Sequence, residues 1–330
     1  MKSFGVVVAL LVLLNLTSCH GALQTGFYNG KCGTNNVESI IRNVVRQRFS
    51  RDPTIVAALL RLQFHDCFVT GCDASLLLNG PSSEKTSPPN FSVRGYDLID
   101  QAKSAVERAC PRLVSCADII AVATRDAVAL NSSTNYLYAP REPRTEEMNA
   151  GKDKATVYIV HLHVSRPSIS VPSSIAFFGS KGFTARDMVL LIGGGHTVGI
   201  THCSFIQDRL FNFRNTGRPD PSMNPTLRNQ LRGRCPQGSP IDNLINLDQT
   251  PGSSLVVDNG SYRQARAGRA IFEIDQSMAS HRSTSGIVFS LANNGASFQT
   301  QFGAAMIKMG ALQVLTGRSG EIRRTCGRRN

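Results

Sequence analysis

Apolar residues recur at helical spacing along most of the chain and seldom alternate. Between Val37 and Phe49 they fall at 37, 40, 41, 44, 45 and 49, the stripe of an amphipathic helix. Ile55-Val-Ala-Ala-Leu-Leu60 runs on through Arg61-Leu-Gln-Phe-His65 as a helix apolar on most faces, the pattern of an element buried among others. Tyr96 to Ala109 repeats at 98, 99, 102, 105, 106 and 109. Ser115 to Leu130 is a further helix whose first turn holds Asp118, where the helix dipole favours an acid. The same reasoning predicts a short helix from Pro167 through Phe178, then Ala185 to Leu191, Cys203 to Phe211, Tyr262 to Phe272 and Phe298 to Leu312. Gly217 to Gly260 is rich in Pro, Asn and Gly and reads as loops, while Val157 to Val164 has strand character. No internal repeat is visible, so the chain reads as mainly α.

The first 22 residues stand apart. Lys2, the run Val6 to Leu14 and the small residues through Ala22 have the layout of a secretory signal peptide. The run is too short for a bilayer, which takes about 20 apolar residues, and no later segment approaches that length. The mature chain, 23–330, is therefore expected outside the cell. Cys19 leaves with the signal, and eight cysteines remain at 32, 67, 72, 110, 116, 203, 235 and 326. An even number in an oxidising compartment implies disulfides, but eight cysteines allow about 105 pairings. No tight Cys-x-x-Cys spacing supports structural zinc. The formal charge of +13 would suggest nucleic acid in a nuclear protein. In a secreted one it favours an acidic polysaccharide or no specific partner. Asn131-Ser-Ser and Asn259-Gly-Ser are glycan acceptor sequences in that compartment.

Two stretches carry candidate chemistry. Arg61 and His65, four apart on one helix, project from the same face and can reach one small ligand. The chain then passes Asp66, Asp73 and Ser75, oxygen donors spaced along a loop that Cys67 and Cys72 could close. The second stretch is Gly193-Gly-Gly-His-Thr-Val-Gly199, which lacks the Gly-Lys-[Ser/Thr] ending of a phosphate loop. Its glycines would let a large planar group approach the backbone. His65 and His196 could line opposite faces of a haem, one as ligand and one as catalyst.

At these residues the chain resembles the class III, secretory plant peroxidases of the plant haem peroxidase superfamily. The resemblance is carried by Phe27-Tyr28…Cys32, Arg61–Ser75, Pro89-Asn90…Arg94-Gly95-Tyr96, Val114-Ser-Cys-Ala-Asp118, Gly194-Gly-His-Thr-Val-Gly199…His202-Cys203, Asp258-Asn259 and Val314-Leu-Thr-Gly317…Gly320-Glu-Ile-Arg-Arg-Thr-Cys326. It implies a mainly α, two-lobed fold with one haem b between a distal lobe (about 23–140) and a proximal lobe (about 167–330). It implies a monomer, without nucleic-acid or membrane partners, that oxidises phenolic donors with hydrogen peroxide in the apoplast, cell wall or vacuole. His196 becomes the proximal iron ligand with Asp275 accepting its other N–H. His65 becomes the distal base, Asn90 sets its tautomer, Arg61 stabilises the leaving oxygen and Phe64 shields the haem face. Asp66, Asp73 and Ser75 side chains with Val69 and Gly71 carbonyls imply a distal calcium site, Glu84 contributing through water. Thr197, Asp248, Thr250 and Asp258 imply a proximal one. The resemblance also selects the pairs Cys32–Cys110, Cys67–Cys72, Cys116–Cys326 and Cys203–Cys235.

Three stretches depart from the family. The loop between Asp248 and Asp258 is longer than usual, which makes Ser253 an alternative to Thr250. Residues 140–166 do not match, and with both flanks fitting they read as a misplaced exon boundary; the arginine that would pair with Asp118 is missing there. The family's Leu-Pro-x-Pro access motif reads Val164-Ser-Arg-Pro167, with Ser165 at the donor-binding position. These departures support an alternative reading, a secreted wall-binding protein that keeps the fold but has lost donor turnover.

Overall fold

The computed structural model describes residue 23 and residues 26–131, 168–316 and 319–330. The signal segment, the 140–166 stretch and Ser165 lie outside the described residues. Among the described residues the first helices are α1 (Val37–Phe49), α2 (Ile55–Thr70), α3 (Tyr96–Ala109) and α4 (Cys116–Asn131). Then come α5 (Val171–Ser180), α6 (Ala185–Gly195), α7 (Gln207–Phe211) and α8 (Pro225–Arg234). The last four are α9 (Gly260–Arg266), α10 (Glu273–Ser280), α11 (Ser285–Asn293) and α12 (Gly295–Gly310). Two three-residue strands, β1 (Ile200–His202) and β2 (Leu244–Asn246), pair antiparallel with Thr201 opposite Ile245. None of the helices described is long and apolar enough to cross a membrane.

Local chemistry explains the ends of these elements. Asn36 caps α1 by accepting from the Ser39 amide, with Glu38 in its first turn and Arg46 and Arg48 in its last. Thr184 and Asp187 close a reciprocal capping box on α6, at 3.1 and 2.9 Å. Helix α8 lies inside the stretch read as loops. Asn224 accepts from the amides of Thr226 and Leu227, Pro225 occupies the first turn, and Leu227 and Leu231 are buried. Capping and two anchors suffice in a segment whose overall polarity hides the helix. The predicted helix Tyr262 to Phe272 ends at Arg266, and a new one starts at Glu273.

One apolar core runs from Tyr28 to Cys326 and takes side chains from α1–α6 and α9–α12. A second, smaller cluster gathers Ile206, Leu210, Met223, Leu227, Leu231, Ile245 and Ile271 around Cys203–Cys235. Helix α4 packs against α1, α2 and α3, while α12 touches both α2 and α6. All four disulfides have the pairing that the resemblance implies. Asp118, fully buried, accepts from the Tyr28 hydroxyl at 2.5 Å and the Ser115 hydroxyl at 2.8 Å.

Candidate active site

Helix α2 displays its functional residues on a nearly uniform apolar background, so burial fixes the helix and leaves a few polar groups at its rim. His65 is buried, and its Nδ1 lies 2.7 Å from Asn90 Oδ1. Asn90 in turn donates through Nδ2 to the Glu84 carbonyl at 2.8 Å, which fixes the amide's orientation. An Asn oxygen can only accept, so Nδ1 carries the proton and Nε2 is the basic nitrogen. Arg61 donates from Nε to that Nε2 at 3.2 Å, from Nη2 to the Pro89 carbonyl at 2.9 Å and from Nη1 to Ser92 Oγ at 3.0 Å. Desolvation, then the Arg61 charge, lower the His65 pKa to about 3, against a smaller raising effect of Asn90. The imidazole is neutral at any ordinary pH. Phe64 stacks on Phe68, centroids 4.3 Å apart, and is half-buried.

The second histidine caps α6. Its Nδ1 faces Asp275 Oδ2 at 2.9 Å and Oδ1 at 3.1 Å, and the Phe272 ring meets it edge-on at 5.0 Å between centroids. Among the described residues Nε2 forms no hydrogen bond, and His196 is half-buried. The loop that follows comes back onto α2: a Cβ at Gly199, where φ is +101°, would lie 2.9 Å from the Ala57 methyl. Direct contact between α2 and α6 also brings the two histidine-bearing elements together. The glycine run needs a correction. Gly193 and Gly194 face protein, because a Cβ on either would lie 2.5 Å from the Tyr262 or the Phe302 ring respectively. Gly195 alone of the three has no neighbour within 4 Å of that position.

The acidic loop after α2 is buried rather than solvated. Asp66, Asp73, Ser75 and Glu84 are all nearly inaccessible. Ala74 N donates to Asp66 Oδ2 at 3.2 Å, Thr70 Oγ1 to Asp73 Oδ2 at 3.1 Å and Ser75 Oγ to Glu84 Oε1 at 2.6 Å. Asp66 Oδ1 is buried without a hydrogen-bond partner. Burial, then Asp73 and Glu84, hold the Asp66 carboxyl well above the usual range. Burial and the neighbouring carboxylates thus disfavour a charged Asp66, a penalty that a hard cation would relieve. Lys181, which the sequence reading did not single out, donates to the Val69 carbonyl at 3.0 Å. No signal near position 181 could have revealed this long-range contact.

In the other loop, Asp248 and Asp258 converge on Gly260, where a Cβ would meet their carboxylate oxygens at 2.5 and 2.8 Å. Thr197 Oγ1 donates to Asp258 Oδ1 at 3.2 Å, and Ser253 Oγ to Asp248 Oδ2 at 2.6 Å. Thr250 Oγ1 accepts from Gln264 Nε2 and its amide donates to Asp248 Oδ1, both at 2.8 Å, so of Thr250 and Ser253 it is Ser253 whose hydroxyl reaches a carboxylate, that of Asp248. Among the described residues no three His, Cys, Asp or Glu side chains form a metal-binding group. Hydroxyl and carbonyl oxygens would have to complete either donor set.

Of the acceptor sequences, Asn259 is buried and donates to the Leu291 and Ala292 carbonyls, both at 2.9 Å. Its amide is not available to a glycan in the folded chain.

This geometry accords with known proteins. The family model described as Peroxidase matches residues 41–294. The chain is 45% identical to Peroxidase 60 of Arabidopsis thaliana, over 98% of this chain and 96% of that one. It is 47% identical to Peroxidase 57 of the same plant, over 93% of each. Peroxidase 28, also from Arabidopsis thaliana, is 45% identical over 99% of both chains. The chain belongs to the peroxidase family.

Proposed function

We propose that this peroxidase binds one haem b between His196 and His65 and uses hydrogen peroxide to oxidise small phenolic donors outside the cell. The observation that carries the reading is the pairing of a neutral, oriented His65 beside Arg61 with a carboxylate-backed His196 on the facing element. The residues fit haem because His196 Nε2 is left open by the bonding of Nδ1, as an axial ligand requires. Haem would supply the redox-active iron.

The chain's own residues divide the remaining work. Asp275 accepts a hydrogen bond from His196 Nδ1–H and gives the imidazole imidazolate character, which makes Nε2 a stronger donor. His65 takes a proton from hydrogen peroxide at Nε2 and returns it to the departing oxygen. Arg61 holds a permanent positive charge where negative charge develops on that oxygen, and its bonds to Pro89 and Ser92 keep it from reorganising. Phe64 covers the apolar side of the same space.

The buried carboxylates support calcium at Asp66, Asp73 and Ser75 with the Val69 and Gly71 carbonyls, Glu84 lying behind Ser75. A second calcium would use Thr197, Asp248, Asp258 and Ser253 in preference to Thr250. An acidic polysaccharide is the expected retaining surface. Residues 221–241 and 259–272 contain six arginines and no acid, and the Asn224 amide bonds the Gly268 carbonyl at 2.7 Å, so the two stretches adjoin.

An absorption spectrum of the purified protein, before and after one equivalent of peroxide, tests the central reading. A Soret band that changes with peroxide and recovers with a phenolic donor is expected. Protein purified with haem available but lacking a Soret band would refute it.

A further inference from the structure

The segment leading into α10 holds the His196 ring from two sides, through Phe272 edge-on and Asp275 at Nδ1. That segment is itself gripped from the α7 region. Arg209, fully buried and paired with Asp220 at 2.8 Å, donates from Nη1 to the carbonyls of Ala270 and Ile271 at 2.8 and 2.7 Å. Arg214 donates from Nη2 to Glu273 Oε1 at 2.6 Å, and its guanidinium lies 4.9 Å from the Phe213 ring centre. Glu273 sits between Phe272 and Asp275 in sequence and is buried, whereas the Arg214 side chain is 71% exposed.

The backbone at Arg214 is unusual. Its φ and ψ are 50° and 36°, and Asn215 also has a positive φ of 61°. A non-glycine residue such as Arg214 enters the left-handed region only where its surroundings hold it there, whereas Asn215 tolerates that region more readily. Here that conformation accompanies the reach of Arg214 to Glu273.

We propose that Arg214, acting through Glu273, is a positioning residue for His196: it fixes the start of α10 and thereby the Asp275–His196 hydrogen bond. The inference rests on His196 as the axial ligand of haem. Loss of the ion pair would loosen that bond, make the imidazole less imidazolate-like and favour ferrous over ferric iron.

The test uses haem-loaded full-length protein and reads the iron–histidine stretching frequency in the ferrous state and the ferric/ferrous equilibrium. The variants are Arg214→Gln, Glu273→Gln, the double variant and Arg214→Lys, with Asp275→Asn as reference. A positioning role lowers the frequency and raises the ferrous-to-ferric ratio in both single variants, by about two- to fivefold, since one ion partner is exposed. The double variant then adds little to either single one, and lysine restores part of the effect. A simple charge effect predicts opposite shifts, because one variant removes a cation and the other an anion; that result overturns the proposal. Unchanged frequency and ratio in both variants, beside a shifted Asp275→Asn, also overturn it and leave His196 as ligand. An unshifted Asp275→Asn would overturn the axial reading itself.

Discussion

The depressed basicity of His65 leads to a quantitative expectation for the reaction with peroxide. In the proposed role of His65 as base only its neutral form can take the peroxide proton, so the rate should follow its unprotonated fraction. With a pKa of about 3, roughly 99% is neutral at pH 5; with the ordinary value near 6.5, about 3% would be. The two cases differ about thirtyfold at pH 5. Stopped-flow measurement of the peroxide reaction of the haem-loaded enzyme between pH 3.5 and 8 separates them, once changes in the donor reaction are excluded by leaving donor out. A flat profile down to about pH 4 is expected. A half-point near 6.5 would refute the account of burial and the Arg61 charge as the causes. Those causes can be tested singly. Arg61→Leu removes the lowering charge, so its half-point should move up, while its plateau falls because the departing oxygen loses its partner.

The same shift enters stability. The folded pKa lies below the unfolded one, so between pH 6.5 and 3 the unfolded chain binds a proton that the folded chain does not. Stability attributable to His65 therefore falls as pH drops through that window, by at most about 5 kcal/mol for a shift of this size. A His65→Gln variant should show a shallower loss from pH 6.5 to 4 in denaturant titrations.

Other expectations concern separate parts of the molecule. His65→Ala should abolish the peroxide reaction while haem absorption persists; normal peroxide reactivity in that variant would remove the distal assignment. Chelation of calcium should lower the melting temperature and slow the peroxide reaction, and calcium should restore both better than magnesium, which demands a tighter octahedral shell. Gly194→Ala would overlap the Phe302 ring and should destabilise by about 1–3 kcal/mol in thermal or urea unfolding, even with haem bound. Peptide mass spectrometry of protein made in a plant secretory system should find no glycan on Asn259.

How much of this was legible in the sequence depended on the range of each interaction. Helices α1 to α4 were readable because burial alone decides them, and four-residue spacing placed Arg61 and His65 on one face. The disulfides were not: eight cysteines left the pairing open, and only the family resemblance selected the four bonds found. Helix α8 was hidden because two buried leucines and an asparagine cap outweigh a polar, glycine-containing composition. Two of the three glycines before His196, Gly193 and Gly194, were read for the wrong neighbour. Their lack of a side chain is required by Tyr262 and Phe302, which lie more than sixty residues downstream and leave no local trace.

The same distinction explains why the distal half of the site forms a connected unit. His65 is followed directly by Asp66, whose carboxyl belongs to the acidic loop, and it is held by Asn90, whose amide hangs from the Glu84 carbonyl. Glu84 closes the circle through its side chain, which accepts from Ser75 in that loop at 2.6 Å. The base is thus tied to the loop once through the chain and once through three hydrogen bonds. A perturbation of the loop has two routes to the imidazole. Ser75→Ala cuts only the hydrogen-bonded route, and it also removes the hydroxyl proposed to ligate calcium. Glu84→Gln keeps an acceptor for Ser75 and leaves the Asn90 contact intact, since that contact uses the backbone carbonyl. If the hydrogen-bonded ring orients His65, Ser75→Ala should slow the peroxide reaction at saturating calcium and Glu84→Gln should barely change it. A loss in Glu84→Gln with Ser75→Ala unchanged would mean that the Glu84 charge, and not the ring, is what the distal base depends on.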